Sequence, residues 1–363
     1  MLAGMKLSTR RTTLSLCSLL SVVACGKESA PADDEPTPPP ASFVEVGPAL
    51  AAQRTPTVAA AQAAITELRS GDFDAVRSRF SAALAAQISA TDLEAAWLAV
   101  EAEAPVGDLL ADRFIAAARF NGNAYVAEHA WAAARLQFRI ELDGVGDFSF
   151  FEFSAAEVLP VDTSPTTRHQ LRPPFEGVWL VGEGPATEVL NHHSVEPTQR
   201  HASDIVVWRN GRTFVGAGTA NTDYHAWRQR VLSPAAGTVA FVLDGEPDIL
   251  PDPEAELGPG AHPAGNHVVI ALGDGEFALL AHMQEGSIQV QPGDAVATGD
   301  VLGRVGNSGS TTEPHIHFHI QDTADFYQST LGYRAPFSNF LLDGRLEQRR
   351  EPGSPQFVQQ PVR

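Results

Sequence analysis

Cysteine is almost absent from this 363-residue chain: only Cys17 and Cys25 occur, both near the N-terminus. The rest of the chain therefore has no disulfide and no thiolate ligand, and any metal site must be built from His, Asp or Glu. No HExxH run occurs, which excludes the helix-borne glutamate base of the usual zinc metalloprotease. Positive charge is scarce as well. The 25 Lys and Arg stand against 44 Asp and Glu, a formal net charge of −19. Such a chain makes nucleic acid an unsuited partner, because phosphate binding needs clustered cations. The charge says nothing about fold. At 44% hydrophobic residues the composition is that of a globular protein, with room for two domains.

The first thirty residues read MLAGMKLSTRRTTLSLCSLLSVVACGKESA. Lys6, Arg10 and Arg11 precede an apolar stretch over about 14–24 that is too short to span a bilayer and has the form of a secretory signal. Its end, Val22-Val23-Ala24-Cys25-Gly26, resembles a bacterial lipobox, with Val22 where leucine is usual. The expectation is a signal peptide over 1–24 and a lipidated Cys25 that anchors the chain to a membrane of the bacterial cell envelope. Gly26, rather than Asp, leaves the outer membrane open as the destination. The following residues, KESAPADDEPTPPPASF, read as a disordered tether, assigned to 25–51.

Helix-like patterns then cover 57–69, 74–88 and 91–103, the last opened by Thr91-Asp92-Leu93-Glu94 as a capping box. After Asn123 the pattern becomes strand-like, in NAYVAEHAWAAA, ARLQFRIELD and GDFSFFEFS. This predicts a small α+β accessory domain over 52–159, coarsely similar to cystatin-like or NTF2-like modules. LPVDTSPTTRHQLRPP reads as a linker. Short β-like runs separated by Gly, Pro, Asn and Asp fill 175–345. The predicted fold class is an α+β N-terminal domain followed by a mainly antiparallel all-β domain.

Ten of the twelve histidines lie between His192 and His319. Three of them alternate in EPHIHFHIQD, residues 313–322. A strand places residues i, i+2 and i+4 on one face, so Ile316, Phe318 and Ile320 form an apolar set and His315, His317 and His319 a second one. The imidazoles could share a metal ion, or simply be the polar face of an amphipathic strand. Three further pieces accompany this run: Asn191-His192-His193 followed by Gln199-Arg200-His201-Ala202-Ser203-Asp204, the pair Ala281-His282, and QVQPGDAVATGDVLGRVGNSGS.

Together these pieces resemble the lysostaphin-type, or LytM-like, zinc metalloendopeptidases of metallopeptidase family 23, over about residues 177–322. The resemblance implies a hydrolase that cuts peptide bonds in peptidoglycan stems or cross-bridges, with one zinc ion per chain. Carried over residue by residue, His193, Asp204 and His317 would hold the zinc, and His282 and His315 would be catalytic. The family's usual HxGxD spacing is missing here. The assignment of His193 follows a subgroup with an Asn-x-His motif, and His192 and His201 stay open as the alternative first ligand. Two imidazoles and a carboxylate leave a zinc ion a fourth position for water, as a catalytic site requires. His319 lies one step beyond the pair the family uses and is read either as support for that pair or as an exposed residue. Peptidoglycan, and a membrane through Cys25, are the partners expected; nucleic acid is not.

Overall fold

A computed structural model describes residues 36–115, 123–132, 134–156, 161–185, 191–252 and 257–360. The expected signal peptide, Cys25 and the first part of the tether lie outside the described residues. The described residues open with four helices, α1 (Phe43–Arg69), α2 (Phe73–Ser78), α3 (Ala82–Ala85) and α4 (Ala90–Glu103). They are followed by an antiparallel meander of β1 (Val106–Ile115), β2 (Asn123–Trp131), β3 (Ala134–Leu142) and β4 (Phe148–Ala156). Alternation along β3 explains the packing. Leu136, Phe138, Ile140 and Leu142 face the helices and share a core with Ala61, Leu68 and Trp97. Arg135, Gln137, Arg139 and Glu141 take the opposite face.

The expected tether is too long. Residues 43–51 belong to α1, whose start is fixed by a capping box between Ser42 and Glu45. Pro48 and Pro56 masked this helix in the sequence, since proline removes an interior hydrogen bond. Around Pro56, the hydroxyls of Thr55 and Thr57 donate to the carbonyls of Ala51 and Gln53. Val46 and Leu50 also bury against the second domain, which offsets the cost. The predicted helix over 74–88 is likewise split. It breaks at Phe80, whose ring packs at a tilt against Phe148 and Phe151 and so ties the helices to β4.

The second domain consists of β5 (Val178–Glu183), β6 (Ser203–Val206), β7 (Arg230–Leu232), β8 (Gly237–Leu243), β9 (Asn266–Gly273), β10 (Glu276–Met283) and β11 (Ala295–Val296). Then come β12 (Val301–Arg304), β13 (Ile316–Gln321), β14 (Gly332–Tyr333), β15 (Phe337–Leu342), β16 (Arg345–Arg350) and β17 (Gln356–Gln359). The main sheet runs β11-β8-β9-β10-β13-β6-β5-β17-β15-β16, with β14 also on β13 and with β7 and β12 as a separate pair. Every strand pair is antiparallel, in keeping with the predicted α+β then all-β class. The expected end at 345 is corrected, because β16 and β17 belong to the same sheet. The predicted linker is pinned rather than loose: Leu171 is fully buried and bridges Phe337.

The two domains meet through an apolar contact. Phe114 of β1 packs with Leu180, Val206, Trp208 and Phe357, joined by Val46 and Leu50 of α1. Burying one such phenylalanine contributes about 1.5–3 kcal/mol.

Candidate metal centre

β13 is a central strand, flanked by β10 and β6. Register puts His317 directly opposite both Ala281 and Asp204. Two residues 113 positions apart in sequence thus become neighbours by strand pairing alone. Ile316, Phe318 and Ile320 enter the main core, as the alternation predicts. The histidine face, however, is not an exposed polar face. His315, His317 and His319 are buried too.

Asp204 is the hub. Its Oδ2 lies 3.0 Å from His193 Nε2, and its Oδ1 lies 2.8 Å from His317 Nδ1 and 3.5 Å from His315 Nε2. Burial alone would raise its pKa, but the imidazoles of His193 and His315 outweigh burial and hold the carboxyl well below its ordinary value. The Asn-x-His motif has a local cause. Asn191 Oδ1 accepts the His193 backbone N–H at 3.1 Å, closing a turn into the short 3-10 helix His192–Val195 that aims His193 at Asp204.

The alternatives for the first ligand separate. His192 Nδ1 is 2.6 Å from Glu183 Oε2, and the same carboxylate accepts the His192 backbone N–H at 3.1 Å. Among the described residues, His192, His193 and Asp204 do offer ligand atoms within 4.8 Å of one another, so His192 stands at the rim of the site. His201 is elsewhere, between Asp162 at 3.2 Å and Glu351 at 3.1 Å.

The tautomers of the two other histidines follow from their partners. A carbonyl oxygen only accepts, so His315 Nδ1–H donates to Glu313 O and His282 Nδ1–H to Ser308 O, both at 2.8 Å. In the neutral rings Nε2 then carries the lone pair. The two rings lie 4.7 Å apart, and His282 is 5.7 Å from His317. Burial, and then the neighbouring His315 and His317, push the His282 pKa far down. His282 has φ of 59°, an unusual conformation for a residue with a side chain, at a shift of register between β9 and β10. The backbone there is held at both ends, His282 N–H to Ala264 O and Gly306 N–H to His282 O, each 3.0 Å. Gly265 and Gly309 are required beside it, because a Cβ on Gly265 would come within 2.2 Å of Ser308 O.

Sequence reasoning left His319 undecided and missed Gln321. Gln321 Nε2 donates to Thr323 O at 2.8 Å, which fixes the amide and turns its Oε1 to His319 Nε2, also 2.8 Å. His319 Nε2 must therefore carry the proton, leaving Nδ1 to accept from His317 Nε2 at 2.9 Å. His317 Nδ1 then has a lone pair, yet it faces the carboxylate oxygen of Asp204. Two acceptors at 2.8 Å need a cation between them, either a second proton on His317 or a metal ion. Burial lowers the His317 pKa to about 4 and so disfavours the second proton near neutral pH. The donor set thus fits a divalent metal bound by nitrogen and oxygen. Gln321 was legible in principle, standing on the histidine face at the next step of two.

Residues 221–328 match the family described as peptidase family M23. That segment is an M23 peptidase domain. It includes His282, His315 and His317, whereas His193 and Asp204 precede the match; Asp204 joins the M23 histidines through the β6–β13 pairing, and His193 joins them through its contact with Asp204. Solved structures similar to the chain include the catalytic domain of the prophage-encoded M23 protein EnpA from Enterococcus faecalis, at 20% identity and TM-score 0.23, covering 48% of this chain and 93% of that one. The catalytic domain of the antimicrobial peptidase lysostaphin from Staphylococcus simulans is 20% identical at TM-score 0.21, covering 32% and 85%. A zinc-containing peptidase from Vibrio cholerae is 16% identical at TM-score 0.23, and there the chain covers only 56% of the other protein and 66% of this one. At TM-scores this low the likeness carries no weight of its own. Among curated proteins none matches the chain.

Proposed function

We propose that this protein is a zinc-dependent endopeptidase that hydrolyses peptide bonds in peptidoglycan stems or cross-bridges. One observation carries the reading: a partly buried carboxylate, Asp204, joins His193 and His317 while the Nε2 atoms of His315 and His282 present lone pairs to the same space. His193, Asp204 and His317 would hold one zinc ion. When bound, zinc supplies Lewis acidity that makes water nucleophilic near neutral pH and polarises the scissile carbonyl.

The chain supplies the proton transfers. His315 Nε2, 3.5 Å from Asp204, takes the proton of the attacking water and returns it to the leaving amine. Its Nδ1–H, held by Glu313 O, keeps the ring in the accepting tautomer. His282 lies beside it, and its Nε2 lone pair accepts a hydrogen bond from the same water and so orients it for that transfer. The sequence supports a cell-envelope setting, since a signal-like N-terminus and a lipobox-like Cys25 would deliver the chain to the compartment where peptidoglycan lies.

Incubation of the zinc-loaded chain with purified sacculi, with mass spectrometry of the soluble products, tests the reading. New peptide termini that disappear with a chelator and with His315→Ala are expected. Intact sacculi under all conditions would reject hydrolysis of peptidoglycan and leave a binding module or another protein substrate.

A further inference from the structure

A cavity of about 520 Å³ lies over the histidine cluster, between the two domains. The N-terminal sheet lines one side, with Arg113 of β1 and Val126 of β2, and the metal centre lines the other, with Glu183, His192, His193 and Asp204. A line of polar partners crosses from the first side to the second and ends at a metal ligand.

The line starts at Arg113, which is only 6% exposed. Burial disfavours its charged guanidinium and brings its pKa down to about 10, and the carboxylate that works against burial is Glu183, at the end of β5 in the other domain. Glu183 in turn holds the segment that carries His193. Its Oε2 accepts the backbone N–H of His192 at 3.1 Å and the ring Nδ1–H of the same residue at 2.6 Å. The next amide, that of His193, is held by Asn191. The rings of His192 and His193 then lie 3.8 Å apart, and His193 reaches Asp204. Two successive amides of the short 3-10 helix are thus fixed by side chains, and one of the two, Glu183, has its partner in the N-terminal domain.

Glu183 is a costly anchor on its own. It stands opposite Asp204 on the neighbouring strand, and like charges so placed repel. The second domain offers no relief, since among its described residues lining the cavity there is no lysine or arginine. Arg113 supplies the missing positive charge from outside. Docking alone does not call for it, because the apolar contact around Phe114, Trp208 and Phe357 already joins the domains.

We propose that Arg113 and Glu183 are positioning residues for the metal centre: Arg113 steadies Glu183, Glu183 fixes His192, and His193 is thereby aimed at the ion. The N-terminal domain then sets the zinc affinity of the domain it is docked to. The proposal rests on the zinc reading of the site and adds to it a role for the N-terminal sheet. Partners one step beyond the ligands act in this way, by fixing a ligand's orientation before the ion arrives. A plain field effect has the opposite sign. Arg113 is a cation near a cation site, so by charge alone its removal would tighten zinc binding, whereas loss of a positioning residue loosens it.

Chelator competition with zinc ions on the full chain, paired with denaturant unfolding of the metal-free chain, tests this. Arg113→Met is expected to weaken zinc binding about fivefold or more, and to add nothing once Glu183 has been replaced by alanine. Glu183→Ala should weaken zinc binding about 10–100-fold. Glu183→Gln removes the same charge but keeps an oxygen for His192, so its loss should be about tenfold smaller. That pair serves as the reporter if Arg113→Met fails to fold. Arg139→Met is the control: this arginine lines the same cavity, but it is held by Glu141 of its own strand, and its loss should not weaken zinc binding. Zinc affinity unchanged or tighter in Arg113→Met, or equal losses in Glu183→Ala and Glu183→Gln, would overturn the proposal. So would an Arg113→Met chain that unfolds more easily without metal yet binds zinc as before, the mark of a mere tether. Failure of the zinc reading shows up separately, as a parent chain that takes up no zinc.

Discussion

Two constellations of histidine and acid involve the second domain, and they differ in proportion. Around Asp204 a single carboxylate serves His193, His315 and His317. Around His201 the ratio is inverted: Asp162 and Glu351 flank one imidazole, and Arg334 joins Asp162 as well. In the first group imidazole nitrogens outnumber acidic partners, so lone pairs remain for a cation. In the second the carboxylates outnumber the imidazole, and an arginine completes an ion cluster that ties the segment before the domain to its C-terminal strands. The first is arranged to hold something that is not protein, the second to hold protein together.

The largest expected effect falls on chemistry. His315→Ala should lower hydrolysis about 10²–10⁴-fold with zinc content unchanged, measured by product release and metal analysis on the same preparation. A smaller effect should appear one step away from the metal. Gln321→Leu removes the acceptor that fixes the His319 tautomer, and His319→Phe removes the relay itself. Each should weaken zinc binding about 10–100-fold in a chelator competition, while leaving the fold intact.

The second constellation should respond in stability alone. His201→Ala leaves two carboxylates without their imidazole and should cost about 1–3 kcal/mol in denaturant unfolding, with zinc affinity unchanged. The smallest effect is a pH dependence. Burial acts to raise the Asp162 pKa, but the backbone and side chain of Ser164, then His201 and Arg334, outweigh it and bring the value to about 2. A carboxyl depressed in the folded state contributes stability that is complete above its unfolded value, near 4, and is lost as pH falls towards 2. Asp162→Asn should flatten that part of the acid unfolding profile, and an unchanged profile would remove Asp162 from the account.

Much of this was legible because strand periodicity is strict. The alternation of His315, His317 and His319 against Ile316, Phe318 and Ile320 predicts both faces of β13, and the structure shows both. That the histidine face is buried was not legible, since it depends on what covers the strand. Asp204 and His193 came from a resemblance in motif; what brings Asp204 to His317 is a strand register that no local pattern announces, and His193 follows through the turn that Asn191 closes. The start of α1 was hidden by Pro48 and Pro56, whose unfavourable local effect is overridden by burial of Val46 and Leu50. β1 escaped notice because Asp108 and Asp112 interrupt its apolar pattern, and only pairing with β2 completes it. The cleft between the domains had no sequence signal, as its wall exists only once Phe114 has docked.

The most direct test of the comparison is the zinc content of the purified chain beside His193→Ala and His201→Ala. About one zinc per chain in the parent and in His201→Ala, with loss in His193→Ala, is the expected result. Zinc kept by His193→Ala and lost from His201→Ala would contradict the division between the two constellations and move the metal to the other histidine.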